Sequence, residues 1–131
     1  MPISASLCSE LADILGGVGQ SKNGICKFDI PRTGIKVTIL GIPSKAAPTH
    51  TVVFEKNSGR CLETGELVLL QEEVPDVLTQ LVAKDIIVSA VHNHWIMDKP
   101  HLIYVHIEST IDSRTFARAV AEVIGSLNES K

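Results

Sequence analysis

The chain is short of aromatic residues, of cysteine and of long apolar runs, and each shortage removes a class of protein. Cys8, Cys26 and Cys61 are odd in number, far apart and free of C-x-x-C spacing. Neither a disulfide framework nor a cysteine-rich zinc site is expected from them; three reduced, mostly buried thiols are. The longest strongly apolar runs, such as LVLL at 67–70, fall far short of the roughly 18 residues that cross a bilayer. The N-terminal stretch MPISASLCSELADILGG has no basic region before its apolar residues, and Ser9, Glu10 and Asp13 interrupt what would be the core of a secretion signal. A cytoplasmic protein with no membrane partner is therefore expected. Strong positive charge is also missing: the net charge of −3 gives no electrostatic reason to expect nucleic acid.

What is present suits one globular unit. A chain of 131 residues buries roughly two-thirds of its unfolded surface, and 44% hydrophobic against 21% charged residues supplies an ample core. A single domain over 1–131 is expected. Leu7, Leu11, Ile14 and Leu15 share one helical face, and Gly16-Gly17 closes that helix. ICKFDI at 25–30 and GIKVTILGI at 34–42 alternate around PRTG and predict a hairpin. THTVVFE at 49–55 and LETGELVLLQ at 62–71 predict the next two strands, separated by KNSGR. From 73 to 85 the period changes to that of a helix entered through Pro75. DIIVSAVHNH at 85–94 and HLIYVHIES at 101–109 return to strand, joined by a loop around Asp98 and Pro100, and residues 112–127 form a last helix capped by Asp112 or Ser113. The strand, helix and strand from 62 to 94 could form a parallel crossover. The expected class is α+β: a mixed, mainly antiparallel curved sheet with about three helices packed on it and a histidine site on one sheet face.

That site comes from counting. Residues 91–110, VHNHWIMDKPHLIYVHIEST, hold four of five histidines together with the lone tryptophan and the lone tyrosine. Alternation on a strand points His92 and His94 the same way and Asn93 the other. On the returning strand Leu102, Tyr104 and His106 share one face, and His101, Ile103, Val105 and Ile107 the other. A hairpin centred near residue 98 sets His94 opposite Leu102, His92 opposite Tyr104 and Ala90 opposite His106. His106 is then a diagonal neighbour of His92, within imidazole reach. The opposite face would carry Ile87, Val91, Ile103, Val105 and Ile107. A loop one residue longer or shorter would substitute His101 for His106.

Three neutral imidazoles suit Zn²⁺ or another divalent transition metal and leave a position open for water or substrate. The bland alternative is that these histidines bond to neighbouring backbone or carboxylates. Glu63, Glu66, Glu72 and Glu73 are the carboxylates that could complete a site. Glu72 also reads as an acid favouring a helix dipole, whereas Glu73 could reach the histidines as fourth ligand or general base. His50 reads as a solvated or locally bonded loop residue. Trp95 and Tyr104 either wall a pocket or belong to the core, and Arg32, Arg60 and Lys99 either meet an anionic substrate or are solvated.

Residues 65–108 resemble the LppY/LpqO-like family of uncharacterised bacterial proteins, through G-E-L-V-L-L, E-E-V, H-N-H and Y-x-H. The resemblance covers about a third of the chain and puts Glu66, Glu73, His92, Asn93, His94, Pro100, Tyr104 and His106 on family positions. Several members carry lipoprotein or secretion signals, which are not apparent in this sequence. The histidine spacing is also similar to that of α-acetolactate decarboxylase and of PPC-type domains, which implies a metal in a sheet-lined pocket. The resulting expectation is a metal-binding protein with His92, His94 and His106 as ligands and Glu73 as catalytic carboxylate. Glu66, Tyr104 and Trp95 would line the pocket, giving a hydrolase or a decarboxylase-like lyase acting on a small oxygen-rich substrate. The alternative is a non-catalytic module that binds a metal or small ligand. A third reading makes the histidines structural and a sheet edge the interface of a homodimer.

Overall fold

A computed structural model describes residues 3–127. Helix α1, Ala5–Leu15, begins where the Ser4 hydroxyl accepts the Leu7 N–H and stops at Gly16 in the left-handed region, as the glycine pair predicts. Strands β1 (Val18–Lys22), β2 (Ile25–Pro31), β5 (Thr49–Asn57), β6 (Arg60–Leu70), β7 (Ile87–Asn93) and β9 (Leu102–Ser109) form one sheet, in the order β1-β2-β5-β6-β9-β7. Every neighbouring pair in it is antiparallel. A single 3-10 turn, Gln71–Glu73, leads into α2, Val74–Ala83, and α3 spans Ser113–Gly125 with Asp112 as its cap. The expected α+β class, with three helices on a mainly antiparallel sheet, is the observed one.

Three details differ from the sequence reading. Residues 34–42 do not pair with β2. Instead β3 (Thr38–Ile39), β4 (Ile42–Pro43) and β8 (Asp98–Lys99) make a small separate sheet, and β2 is flanked by β1 and β5. β1 carries little apolar signal because all five of its residues are exposed on an edge. β6 and β7 do run parallel, both being antiparallel to β9, but β9 lies between them, so their crossover spans a strand rather than joining neighbours.

Alternation sorts the side chains to two faces. Cys26, Phe28, Val52, Phe54, Leu67, Leu69, Val105 and Ile107 turn toward the helices and meet Leu11, Leu81, Phe116 and Val120 in the main core. The three phenylalanines meet edge to face at 5.6 Å, Phe28 on Phe54 and Phe54 on Phe116. On the other face Val68 and Leu102 pack with Val37 from the 32–48 segment in a second, smaller cluster.

That segment lies where β6 outlasts its neighbour. Pairing of β5 with β6 stops at Thr51 and Glu66, while β6 continues to Leu70. The backbone groups left without a strand are taken by side chains. His50 Nδ1 accepts the Val68 N–H at 3.1 Å, Arg32 donates to the Val68 carbonyl at 3.0 Å, and Glu73 accepts the Leu70 N–H at 2.8 Å. Arg32 and Glu73 close the group as a bidentate pair at 2.7 and 3.0 Å, with the Arg32 side chain fully buried and that of Glu73 nearly so. His50 is also fully buried. Burial, reinforced by the Arg32 charge, drives its pKa down to about 3, so the ring stays neutral and keeps its acceptor.

Cys8 on α1 and Cys26 on β2 form a disulfide with their Cα atoms 5.9 Å apart, and Cys61 is free. The expectation of three reduced thiols is corrected: the pair is separated by 18 residues, and only the docking of α1 onto β2 brings it together. Such bonds persist chiefly in oxidising compartments, so the cytoplasmic expectation finds no support in this one. No described helix is long and apolar enough to cross a membrane.

Removing one member of a buried ion pair strands the other, at a cost of about 3–5 kcal/mol. Arg32→Met and Glu73→Gln should each lower the unfolding free energy measured by urea titration by that order, and the double variant should lose much less than the sum. Thiol titration of the oxidised, urea-unfolded protein should count one thiol, Cys61, and three after reduction.

Candidate functional site

β7 is an edge strand, exposed except at the half-buried Val88 and paired on one side only with β9. His92 stands opposite Tyr104 and Ala90 opposite His106, and the His94 N–H reaches the Leu102 carbonyl at 3.0 Å. This is the register of a hairpin centred near residue 98. A bulge between Val88 and Ala90 makes Ser89 the extra residue, so Ile87 pairs with Glu108 and shares the histidine face. The expected placement of Ile87 beside Val105 and Ile107 is thereby corrected; its side chain is exposed.

His92 and His106 meet on this face with their Nε2 atoms 2.8 Å apart and their rings stacked at 4.9 Å. His92 Nδ1 lies 2.7 Å from the Asn93 carbonyl. A carbonyl can only accept, so Nδ1 carries the proton in the neutral ring and Nε2 presents a lone pair toward His106. Glu66 on β6 pairs directly with His106 across the ladder. It shares with Thr51, Thr64, Ser89, His106 and Glu108 the lining of an open depression of about 280 Å³.

His94 takes a different course from His92. Its ring lies between Trp95, at 4.4 Å, and Tyr104, at 4.0 Å, both nearly parallel to it. Its Nδ1 is buried without a hydrogen-bond partner, and desolvation lowers its pKa. Burial raises that of Tyr104, and Glu66 adds to the rise. His94, Trp95 and Tyr104 line a second, mostly apolar cavity of about 160 Å³ with Val37, Ile39 and Leu102. Trp95 and Tyr104 therefore wall a pocket rather than fill the main core. Among the described residues no three His, Cys, Asp or Glu side chains stand together as a ready-made metal cage.

The remaining candidates lie elsewhere. His101 sits in the loop with its Nδ1 2.6 Å from Asp98 and its Nε2 2.9 Å from Asn93, which belongs to the face opposite His92. Against the upward push of burial, the His101 and Leu102 hydrogen bonds hold the Asp98 carboxyl below its ordinary range. Glu73, read in the sequence as the catalytic carboxylate, is engaged by Arg32 and the Leu70 N–H on the β5 side of β6, with β9 between β6 and the histidine strand. Glu72 is exposed. Arg32 is no surface cation and His50 no loop histidine, since both cap β6.

Glu63 was placed only near a turn by the sequence reading, yet it is wholly buried. Alternation from Leu67 would have put it on the helix side. Burial, aided by Asp112 and opposed by the Ser109 hydroxyl, raises its pKa to about 7.

Fold and site together define an α+β domain with paired histidines on the open face of its sheet. The chain belongs to the family described as Domain of Unknown Function (DUF1259), whose sequence pattern it matches over residues 9–126. No curated protein and no solved structure matches it.

An acid whose folded pKa is raised contributes stability that is complete below its unfolded value of 4.5 and is lost as pH rises through about 7. Glu63→Gln should therefore flatten the decline in melting temperature over that window and gain roughly 2 kcal/mol on the wild type at alkaline pH. An unchanged pH profile would show that Glu63 ionises as freely in the fold as out of it.

Proposed function

We propose that the histidine face binds a divalent transition metal, zinc above all, through His92, His106 and His94, with Glu66 rather than Glu73 as the accompanying carboxylate. The observation that carries this reading is the convergence of His92 Nε2 and His106 Nε2 at 2.8 Å on an open sheet face. Support also comes from the second nitrogen of His92, tied to the Asn93 carbonyl at 2.7 Å. Metal-binding imidazoles commonly donate their other N–H in this way, which fixes the tautomer and aims the lone pair. Two ring nitrogens on one tetrahedral zinc stand about 3.3 Å apart, so the pair needs to open by only about half an ångström. His94 reaches the same face by turning out of its stack between Trp95 and Tyr104, and Glu66 flanks His106 from the next strand.

In such a site the ion supplies Lewis acidity toward a small oxygen-rich ligand. The chain supplies the rest: Glu66 accepts a proton beside His106, and the His94, Trp95 and Tyr104 cavity holds the less polar part of the ligand. Hydrolysis or a decarboxylase-like lyase step fits these parts, and the finer resemblance to the LppY/LpqO-like proteins belongs to the same reading. A binding module is the second reading, favoured by the openness of the depression over Glu66 and His106.

The test is metal content and zinc affinity, measured on protein without a polyhistidine tag after equilibration with zinc and dialysis. Wild type should retain about one ion per chain, while His92→Ala and His106→Ala should weaken binding by about 100-fold or more. His101→Ala should match wild type. Full retention in both the His92 and His106 variants would end the proposal. Zinc bound by Glu66→Gln at near wild-type affinity assigns this carboxylate to proton transfer rather than to holding the ion.

A further inference from the structure

The small sheet of β3, β4 and β8 presents an apolar tip. Leu40 is 73% exposed, Ile42 69%, Trp95 45%, Ile96 77% and Met97 69%. These residues come from two adjacent turns, since the Leu40 N–H donates to the Met97 carbonyl at 3.0 Å and Ile39 pairs with both Ile42 and Asp98. Large apolar side chains gathered at one exposed point of a domain mark a surface that is covered in use.

The backbone beneath them gives an independent indication. Three hairpins of the described chain turn through two residues of positive φ, the second a glycine: Asn23-Gly24, Ser58-Gly59 and Leu40-Gly41. Two-residue turns of this kind favour asparagine or aspartate before the glycine, because a Cβ is strained at positive φ and a short polar side chain eases it. The first two turns have small polar residues there, whereas the third has leucine at φ 53°. Met97 in the adjoining turn is held at φ 63°. Folding alone would be better served by asparagine or glycine at both positions, so the strain is kept for what Leu40 and Met97 touch.

The charge around the tip selects the occupant. Segments 33–48 and 94–101 expose Lys36, Lys45 and Lys99, and their one carboxylate, Asp98, is buried against His101 and the Leu102 N–H. On a chain with net charge −3, these two segments thus expose only positive formal charges. Tryptophan and aliphatic side chains backed by lysines suit the headgroup layer of an anionic bilayer, where the rings and methyls enter the interface and the ammonium groups stay among phosphates. We propose that the turns at Leu40-Gly41 and Trp95–Met97 dock this domain onto an anionic lipid surface. The expectation of no membrane partner rested on the lack of a spanning segment, which argues against crossing a bilayer but is silent on attachment to its surface.

Trp95 is the single tryptophan of the chain and lies in the tip, so its emission reports docking directly. Vesicles of phosphatidylcholine alone should be compared with vesicles containing about 30% phosphatidylglycerol at low salt. Co-sedimentation with the anionic vesicles, a blue-shifted Trp95 emission, and release by salt are expected. Leu40→Asn combined with Ile96→Ser and Met97→Ser should cut partitioning at least tenfold. Because asparagine relieves the turn, Leu40→Asn alone should melt no lower than wild type, which separates lost docking from lost folding. Changing Lys36, Lys45 and Lys99 to glutamine should each weaken binding about fivefold. Equal binding to neutral vesicles, or none to anionic ones, overturns the proposal. So does a blue shift that follows protein concentration without lipid, which would assign the tip to a second copy of the chain.

Discussion

Arg32 and Glu73 hold the place where the main sheet would otherwise come apart. β6 runs past the end of its pairing with β5, and an unpaired strand edge inside a protein is costly because each stranded N–H or carbonyl loses its water without gaining a partner. Val68 and Leu70 avoid this through His50, Arg32 and Glu73, none of which belongs to the facing part of a strand. The guanidinium fork satisfies the Val68 carbonyl and both oxygens of Glu73 together, so the two charges neutralise each other as they complete the ladder. The arrangement also fixes what lies on top: with Arg32 anchored, the 32–48 segment folds over Val68 and Leu102 and carries β3 and β4 to β8.

The two faces of the sheet divide the rarer side chains between them. All three phenylalanines are in the helix-covered core, where burial rewards a ring with no polar atom. Tyr104, Trp95 and four of the histidines gather at the other face or at the loop that ends it. The crowding within residues 91–110 is thus a consequence of one hairpin whose outer strand is the exposed edge of the sheet, and strand parity separates its members. His92 and His106 converge, His94 stacks among aromatics, and His101 turns with Asn93 to the opposite side.

Sequence and structure agree wherever the controlling forces are local. The three helices appear within a residue or two of their expected bounds because their apolar stripes, the caps at Ser4 and Asp112, Pro75 and Gly16 all act over a few residues. The His92, Tyr104 and His106 register was legible because one turn length fixes it. Glu73, His50 and Arg32 were misread because nothing near them in the chain announces their partners. Glu73 meets an arginine 41 positions away, and His50 meets a backbone N–H 18 positions away. Residues 34–42 were assigned to the wrong sheet for a related reason: alternation identifies a strand but does not name the strand beside it.

The sequence by itself determined the periodic elements, the parity that turns His92 and His106 to one side, and the helix stop at Gly16. These follow from backbone sterics and from the spacing of apolar side chains, both of which operate within one element. Only the tertiary structure decided that β6 needs side chains to finish its edge, that Cys8 meets Cys26, and that Leu40 and Met97 share one exposed tip. Each of these depends on where a neighbouring strand or helix stops, and that is set by the packing of segments far apart in the chain.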